Sequence, residues 1–221
     1  MSTHNLLVTP RTTLGRHPER GSFDRATIYR ILDEALVCHI AFAVGDQPVV
    51  VPTLFARLGD TLYIHGSAVG RMLRTLSAGI EVCVNVTLVD GLVFARSAFS
   101  HSMNYRSVSV FGTAREVIDP GEKLRALEAT VEHVARGRWA DARQPNGKEL
   151  AATTVVAVPL GEASAKIRAG GPKDTEADYA LEVWAGVLPL TIEAGPPIRD
   201  DRTPADVTTP AYVAAWKPQR H

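Results

Sequence analysis

The chain predicts a mainly β fold: an antiparallel barrel with flanking helices. Three features of its 221 residues carry that reading. From Cys38 onward, apolar residues recur with period two in short, evenly spaced runs. Most of these runs are joined by hairpin-sized turns marked by Gly45-Asp46, Gly59-Asp60 and Asp90-Gly91. Long crossover helices do not separate every pair of strands, as a doubly wound parallel sheet would require.

Taken in order, residues 1–22 are polar and carry Pro10, Gly15, Pro18 and Gly21, so they read as an N-terminal arm. Asp24 suits the N-cap of a first helix whose apolar face is Ile28, Ile31, Leu32 and Leu36. Strands follow in "CHIAFAV", "PVVVPTLFARL" and "TLYIH". A short helix is predicted over 68–77, with Gly79 as its C′ residue. Strands resume in "IEVCVNVTLV", "LVFARSAF" and "YRSVSVFGTAREVI". A second helix over 120–136 places Leu124, Leu127, Val131 and Val134 on one stripe. The last predicted strands are "TTVVAVPL" and "ASAKIRA". One folded domain over 23–190 is expected, followed by a proline-rich extended tail over 191–221 with Tyr212 and Trp216 as anchors.

Composition narrows the function classes. Lys+Arg and Asp+Glu both number 24, which argues against a sequence-independent grip on nucleic acid. No apolar run reaches the ~20 residues of a membrane helix, and no secretory signal is visible. Cys38 and Cys83 form no C-x-x-C pair, so a reducing cytoplasm is the expected home. His39, His65, His101 and His133 lack metal-ligand spacing. No P-loop, G-x-G-x-x-G or G-x-S-x-G is present.

Two stretches stand out. In "LYIHGSAVGRMLRTL" a strand meets a helix through His65-Gly66-Ser67, with Arg71 in the first helical turn and Arg74 near the same face. Such a corner suits an anion, because small residues and backbone N–H groups let it approach and an arginine fork matches phosphate. A capped helix with surface arginines is the more ordinary reading of these residues alone, and His65 at a strand end is more often structural than catalytic. In "FSHSMNYRSVSVFGTA" a polar cluster from His101 to Arg106 enters a strand that alternates Val108, Val110 and Gly112. Arg106 therefore shares their side and needs an anion or a carboxylate partner.

With "GRW" at Gly137 to Trp139, "ASAKIRAGGP" and "WAGVLPL", these stretches occur in order over about residues 11–190. Together they resemble the flavin-nucleotide-binding, nitroimidazole-resistance-like branch of the pyridoxamine 5′-phosphate oxidase-like split-barrel superfamily. The resemblance implies an antiparallel split barrel of the FMN-binding type, a homodimer, and FMN at the subunit interface. It assigns Gly66, Ser67, Arg71 and Met72 to the FMN phosphate segment, and Val51, Pro52 and Thr53 to the strand along the ring. Tyr105, Arg106 and Ser107 match a second flavin-contacting position, and Trp184 an aromatic near the ring. His65 lies beside the flavin in the resistance proteins, which makes it the candidate catalytic residue. Lys166 and Arg168 belong to a branch motif with no assigned role. The arginine-rich motifs that bind pyridoxal phosphate are absent and Ser107 replaces a glutamine, so pyridoxamine phosphate oxidation is not expected. The implied function is an FMN-dependent oxidoreductase passing electrons from NAD(P)H to a small nitro or quinone compound. The alternative is a non-catalytic flavin, haem or deazaflavin carrier or sensor.

Overall fold

A computed structural model describes residues 5–218. The first four residues of the expected arm and the last three of the expected tail lie outside the described residues. Two antiparallel sheets face each other across one main core, and neither closes on itself. The larger sheet runs β1 (Gly21–Ser22), β10 (Glu162–Arg168), β7 (Ser102–Thr113), β6 (Glu81–Phe94), β2 (Val37–Val44), β3 (Gln47–Leu54), with β11 (Gly186–Pro189) beside β6; the smaller runs β4 (Ala56–Leu58), β5 (Thr61–Ser67), β9 (Thr153–Pro159), β8 (Arg115–Glu116).

Strand β1 (Gly21–Ser22) precedes helix α1 (Arg25–Glu34), whose cap is the Asp24 carboxylate accepting from the Thr27 amide at 2.8 Å. Ile28, Ile31 and Leu32 of α1 are buried in the core as the spacing predicts. Strands β2 (Val37–Val44) and β3 (Gln47–Leu54) form a hairpin through Gly45, at φ 58°. Only glycine takes that left-handed conformation without steric cost. Strands β4 (Ala56–Leu58) and β5 (Thr61–Ser67) turn likewise at Gly59.

Helix α2 spans Arg71–Leu76, later than the predicted start near 68. The strand runs on to Ser67 because its edge pairs with β9 as far as Thr153. The Gly70 amide then bonds the Ser67 carbonyl at 2.9 Å, and this turn occupies the residues expected to begin the helix.

A second departure lies in β6 (Glu81–Phe94) and β7 (Ser102–Thr113). The turn predicted at Asp90-Gly91 is a β-bulge inside one long strand. A late segment, β11 (Gly186–Pro189), pairs with the far half of β6 and supplies partners that local sequence cannot announce. The chain actually reverses over residues 95–101.

Beyond β8 (Arg115–Glu116), α3 (Pro120–Val134) packs on the outside of the smaller sheet. It turns Ala126 and Thr130 inward, with Leu127 half-buried, while Leu124 and Val134 of the expected stripe stay exposed. Short helices α4 (Arg138–Asp141) and α5 (Gly147–Ala152) lead into β9 (Thr153–Pro159) and β10 (Glu162–Arg168). Residues 191–210 contain no regular element, and α6 (Ala211–Ala214) follows them. The Trp216 indole N–H donates to the Val134 carbonyl at 2.7 Å, and Arg138 donates to the Tyr212 hydroxyl at 3.1 Å. At the other end, Leu6 is buried in the main core. Among the described residues no helix is long and apolar enough to cross a membrane.

Candidate functional site

The strand–helix corner forms as β5 leaves the smaller sheet. Leu62 and Ile64 enter the main core, whereas Tyr63 joins Val155 and Ala157 in the cluster under α3. By alternation His65, paired with Val155, shares the α3 side. Its Nδ1 is buried with no hydrogen-bond partner, and burial pushes the ring's pKa below the ordinary histidine value. The imidazole is therefore neutral at pH 7. Gly66 faces α2: a Cβ there would lie 3.2 Å from Leu73 Cδ2. Gly70 is tighter still, with a Cβ 3.0 Å from the Ser67 carbonyl oxygen. Met72 packs against the main core. Arg71 and Arg74 are exposed and, with Thr75, line a surface hollow of about 300 Å³. Neither guanidinium has a carboxylate partner among the described residues, so the hollow carries two uncompensated positive charges.

Strand β3 lies against β5 and forms the free edge of the larger sheet. Val51 packs on the core, Pro52 is exposed on the opposite face, and the half-buried Thr53 donates its hydroxyl to the Leu54 carbonyl at 3.3 Å. Strand β3 and strand β5 touch, but no hydrogen bond or shared hollow among the described residues joins Val51–Thr53 to the Gly66–Arg71 corner.

Arg106 answers to a different set of partners. It lies on the inner face with Val108 and Val110, and its fork is filled by two carboxylates. Nη1 and Nη2 donate to Glu34 at 2.5 and 2.9 Å, while Nε and Nη2 donate to Asp90 at 2.9 and 2.7 Å. The Glu34 and Asp90 hydrogen bonds raise the guanidinium pKa above its already high value, so it stays charged. Asp90 reads in sequence as a turn residue and Glu34 as a helix end; nothing local announces either as a partner. Together they line a hollow of about 340 Å³ with Leu190 and Ile192, apart from the Arg71 hollow.

Tyr105 and Ser107 point to the outer face, opposite Arg168 and Lys166 of β10. Buried Arg168 donates to Asn104 Oδ1 and to the Gly170 and Gly171 carbonyls at 3.0 and 3.1 Å. All are neutral acceptors, and desolvation with neighbouring Arg20 lowers its pKa. Trp184 is 69% exposed and rests on Phe94 at 5.9 Å between ring centroids. Phe94 in turn meets His101 edge-on at 5.9 Å.

The family model described as pyridoxamine 5′-phosphate oxidase matches residues 24–167. Flavocytochrome Anf3 from Azotobacter vinelandii is similar over 93% of this chain and 95% of its own, at 38% identity and TM-score 0.87. The FAD and heme binding protein from Mycobacterium smegmatis is similar over 90% and 98%, at 36% identity and TM-score 0.86. A protein assigned to 5-nitroimidazole antibiotic resistance in Bacteroides thetaiotaomicron shares 25% identity over 66% of this chain and 86% of its own, with TM-score 0.55. No curated protein matches the chain.

Proposed function

The chain belongs to the pyridoxamine 5′-phosphate oxidase family, and on that premise we propose that it is a flavin-binding redox protein. In this reading it passes electrons from NAD(P)H to a small electrophile such as a nitro or quinone compound. The carrying observation is the pair of uncompensated arginines, Arg71 and Arg74, beside a corner that Gly66 and Gly70 let fold back closely on itself. That donor set fits a flavin phosphate, and a planar ring suits the adjacent free edge of β3. Gly66, Ser67 and Arg71, with neighbouring Met72, would hold the phosphate end, and the backbone of Val51, Pro52 and Thr53 would run along the ring. FMN satisfies this set; FAD would add a second phosphate and an adenosine to be housed. Tyr105 and Ser107, on β7 with two strands between it and β3, and Trp184 would reach the ring end only across the proposed subunit contact. Arg106, with its fork filled by Glu34 and Asp90, would contribute by bracing α1 against β6.

A bound flavin would supply hydride acceptance and onward electron transfer. The protein's part is to hold it, exclude water and manage one proton. His65, with an unpartnered buried nitrogen, is the proposed catalytic residue: neutral at rest, it would orient substrate, and it would act as proton donor only after taking up a proton itself. We further propose a homodimer, because Val37, Val50 and Leu54 leave an apolar band uncovered on the outer face near β3.

Haem is the second group in the proposal. Two relatives similar over nine-tenths of this chain are named a flavocytochrome and an FAD and heme binding protein. Anaerobic addition of NADPH to flavin-loaded protein tests the redox reading. Bleaching of the flavin, followed by reoxidation with a nitro compound, is expected. A flavin that binds but never bleaches would leave a carrier rather than an oxidoreductase.

A further inference from the structure

Strand β11 stops short of where its own sequence would carry it. Leu188, Leu190 and Ile192 alternate with Pro189, Thr191 and Glu193, which is the period of a strand. The Leu190 amide still donates to the Asp90 carbonyl at 3.0 Å. Beyond it, no amide of Thr191, Ile192 or Glu193 has a hydrogen-bond partner among the described residues, and Ile192 is 57% exposed.

The facing edge of β6 is open over the same stretch. Strand β2 pairs with β6 at Cys83–Asn85 and β11 at Gly91–Phe94, so only β7 lies alongside residues 86–89. Along a strand the hydrogen-bonding groups of alternate residues share one edge. Leu88 therefore turns its N–H and C=O to the edge where the Asp90 carbonyl takes Leu190. The β11 register, continued past Pro189, sets Ile192 opposite Leu88, which packs against the main core. What separates the two edges is the hollow of about 340 Å³ lined by Glu34, Asp90 and Arg106.

Pro218 lines that hollow together with Leu190 and Ile192, and it has no N–H to lend to either edge. Next to it, Trp216 and Lys217 meet Thr191 and Ile192 around a second hollow of about 570 Å³. This C-terminal segment is held from its other side. The Trp216 indole bonds the Val134 carbonyl at 2.7 Å, and Tyr212 accepts from Arg138 at 3.1 Å.

We propose that the C-terminal segment is a wedge. Docked through Trp216 and Tyr212, it holds residues 190–193 off β6 and keeps the hollow open. Released, it lets β11 zip on by one hydrogen-bonded pair, Ile192 with Leu88, and the hollow closes over the Glu34–Arg106–Asp90 cluster. Closure gives partners to strand groups that now lack them and covers the exposed Ile192 with Leu88. Capture or removal of the segment thus shuts the hollow, and a small molecule seated there would favour the docked form. The device is independent of the flavin reading, since it uses no residue of the Arg71 corner or of β3.

Hydrogen exchange of the full-length protein, read by NMR at the Leu88 and Ile192 amides, tests it. Trp216→Ala should slow both amides about tenfold or more, roughly the worth of one hydrogen bond, while the β9 amides keep their wild-type protection. Loss of an ordinary surface anchor would do the reverse and speed exchange nearby. Tyr212→Ala, which leaves the indole in place, should slow the same two amides. Adding Ile192→Asp to Trp216→Ala sets a charge against Leu88 and should return the Leu88 amide to wild-type exchange. Unchanged or faster exchange at both amides in the two anchor variants would overturn the wedge. Slow exchange at Leu88 that survives Ile192→Asp would overturn the zipping of β11.

Discussion

Arg71 and Arg74 are alike in type and exposure but differ in their place on α2. Arg71 stands at the start of α2, next to the turn held by Ser67 and Gly70, whereas Arg74 is in the helix's last turn. Arg71→Ala should weaken flavin binding at least about tenfold, the loss expected of one charge-assisted contact, and Arg74→Ala much less. Fluorescence-quenching titrations giving equal dissociation constants would remove the phosphate from Arg71. For His65 the prediction concerns pH. Burial lowers its pKa in the folded state, so the unfolded chain binds more protons below the ordinary value of about 6.5. Its contribution to stability is therefore full above that value and falls as pH drops toward the folded pKa, levelling off below it. Denaturation midpoints of His65→Gln should show a shallower acid decline than wild type over that window; parallel curves would contradict it. At this scale the sequence was informative about need but not about partner. The period of Val108 and Val110 shows that Arg106 points inward and must be neutralised. It cannot show that Glu34 and Asp90 do so, because both arrive through tertiary packing.

At the level of elements, the hairpins were legible because their glycines carry the information. Gly45 and Gly59 adopt positive φ where the chain must reverse. Asp90-Gly91 looks the same on paper and behaves otherwise. There the absent side chain lets β11 approach: a Cβ on Gly91 would lie 3.0 Å from the Leu188 carbonyl oxygen. Gly91→Val should push β11 away and cost about 1–3 kcal/mol, the usual penalty for overpacking. The β11 amides that pair with β6 should then exchange faster with solvent. Unchanged exchange with unchanged stability would mean that β11 does not depend on this close approach. Helix α2 starts later than its periodicity suggests for a related reason. Pairing of β5 with β9 extends the strand, and such pairing is invisible to local periodicity.

The whole molecule is organised by which side of the larger sheet is covered. The inner face packs against α1 and the smaller sheet, while near β3 the outer face leaves Val50 61% exposed. Alternation in the sequence gives the two faces but not their cover, since a second chain leaves no mark on one chain's period. Val50→Asp should convert a dimer to a monomer in light scattering while the strand content of the circular dichroism spectrum stays unchanged. A dimer that survives this charge would place the contact elsewhere. If this fold and its arginine-lined corner hold a flavin, the protein must retain it in a fixed ratio. The purified chain, saturated with FMN or FAD, desalted and denatured, should release one flavin per subunit. A protein that emerges colourless, and whose added flavin washes away entirely, is not a flavin-binding protein.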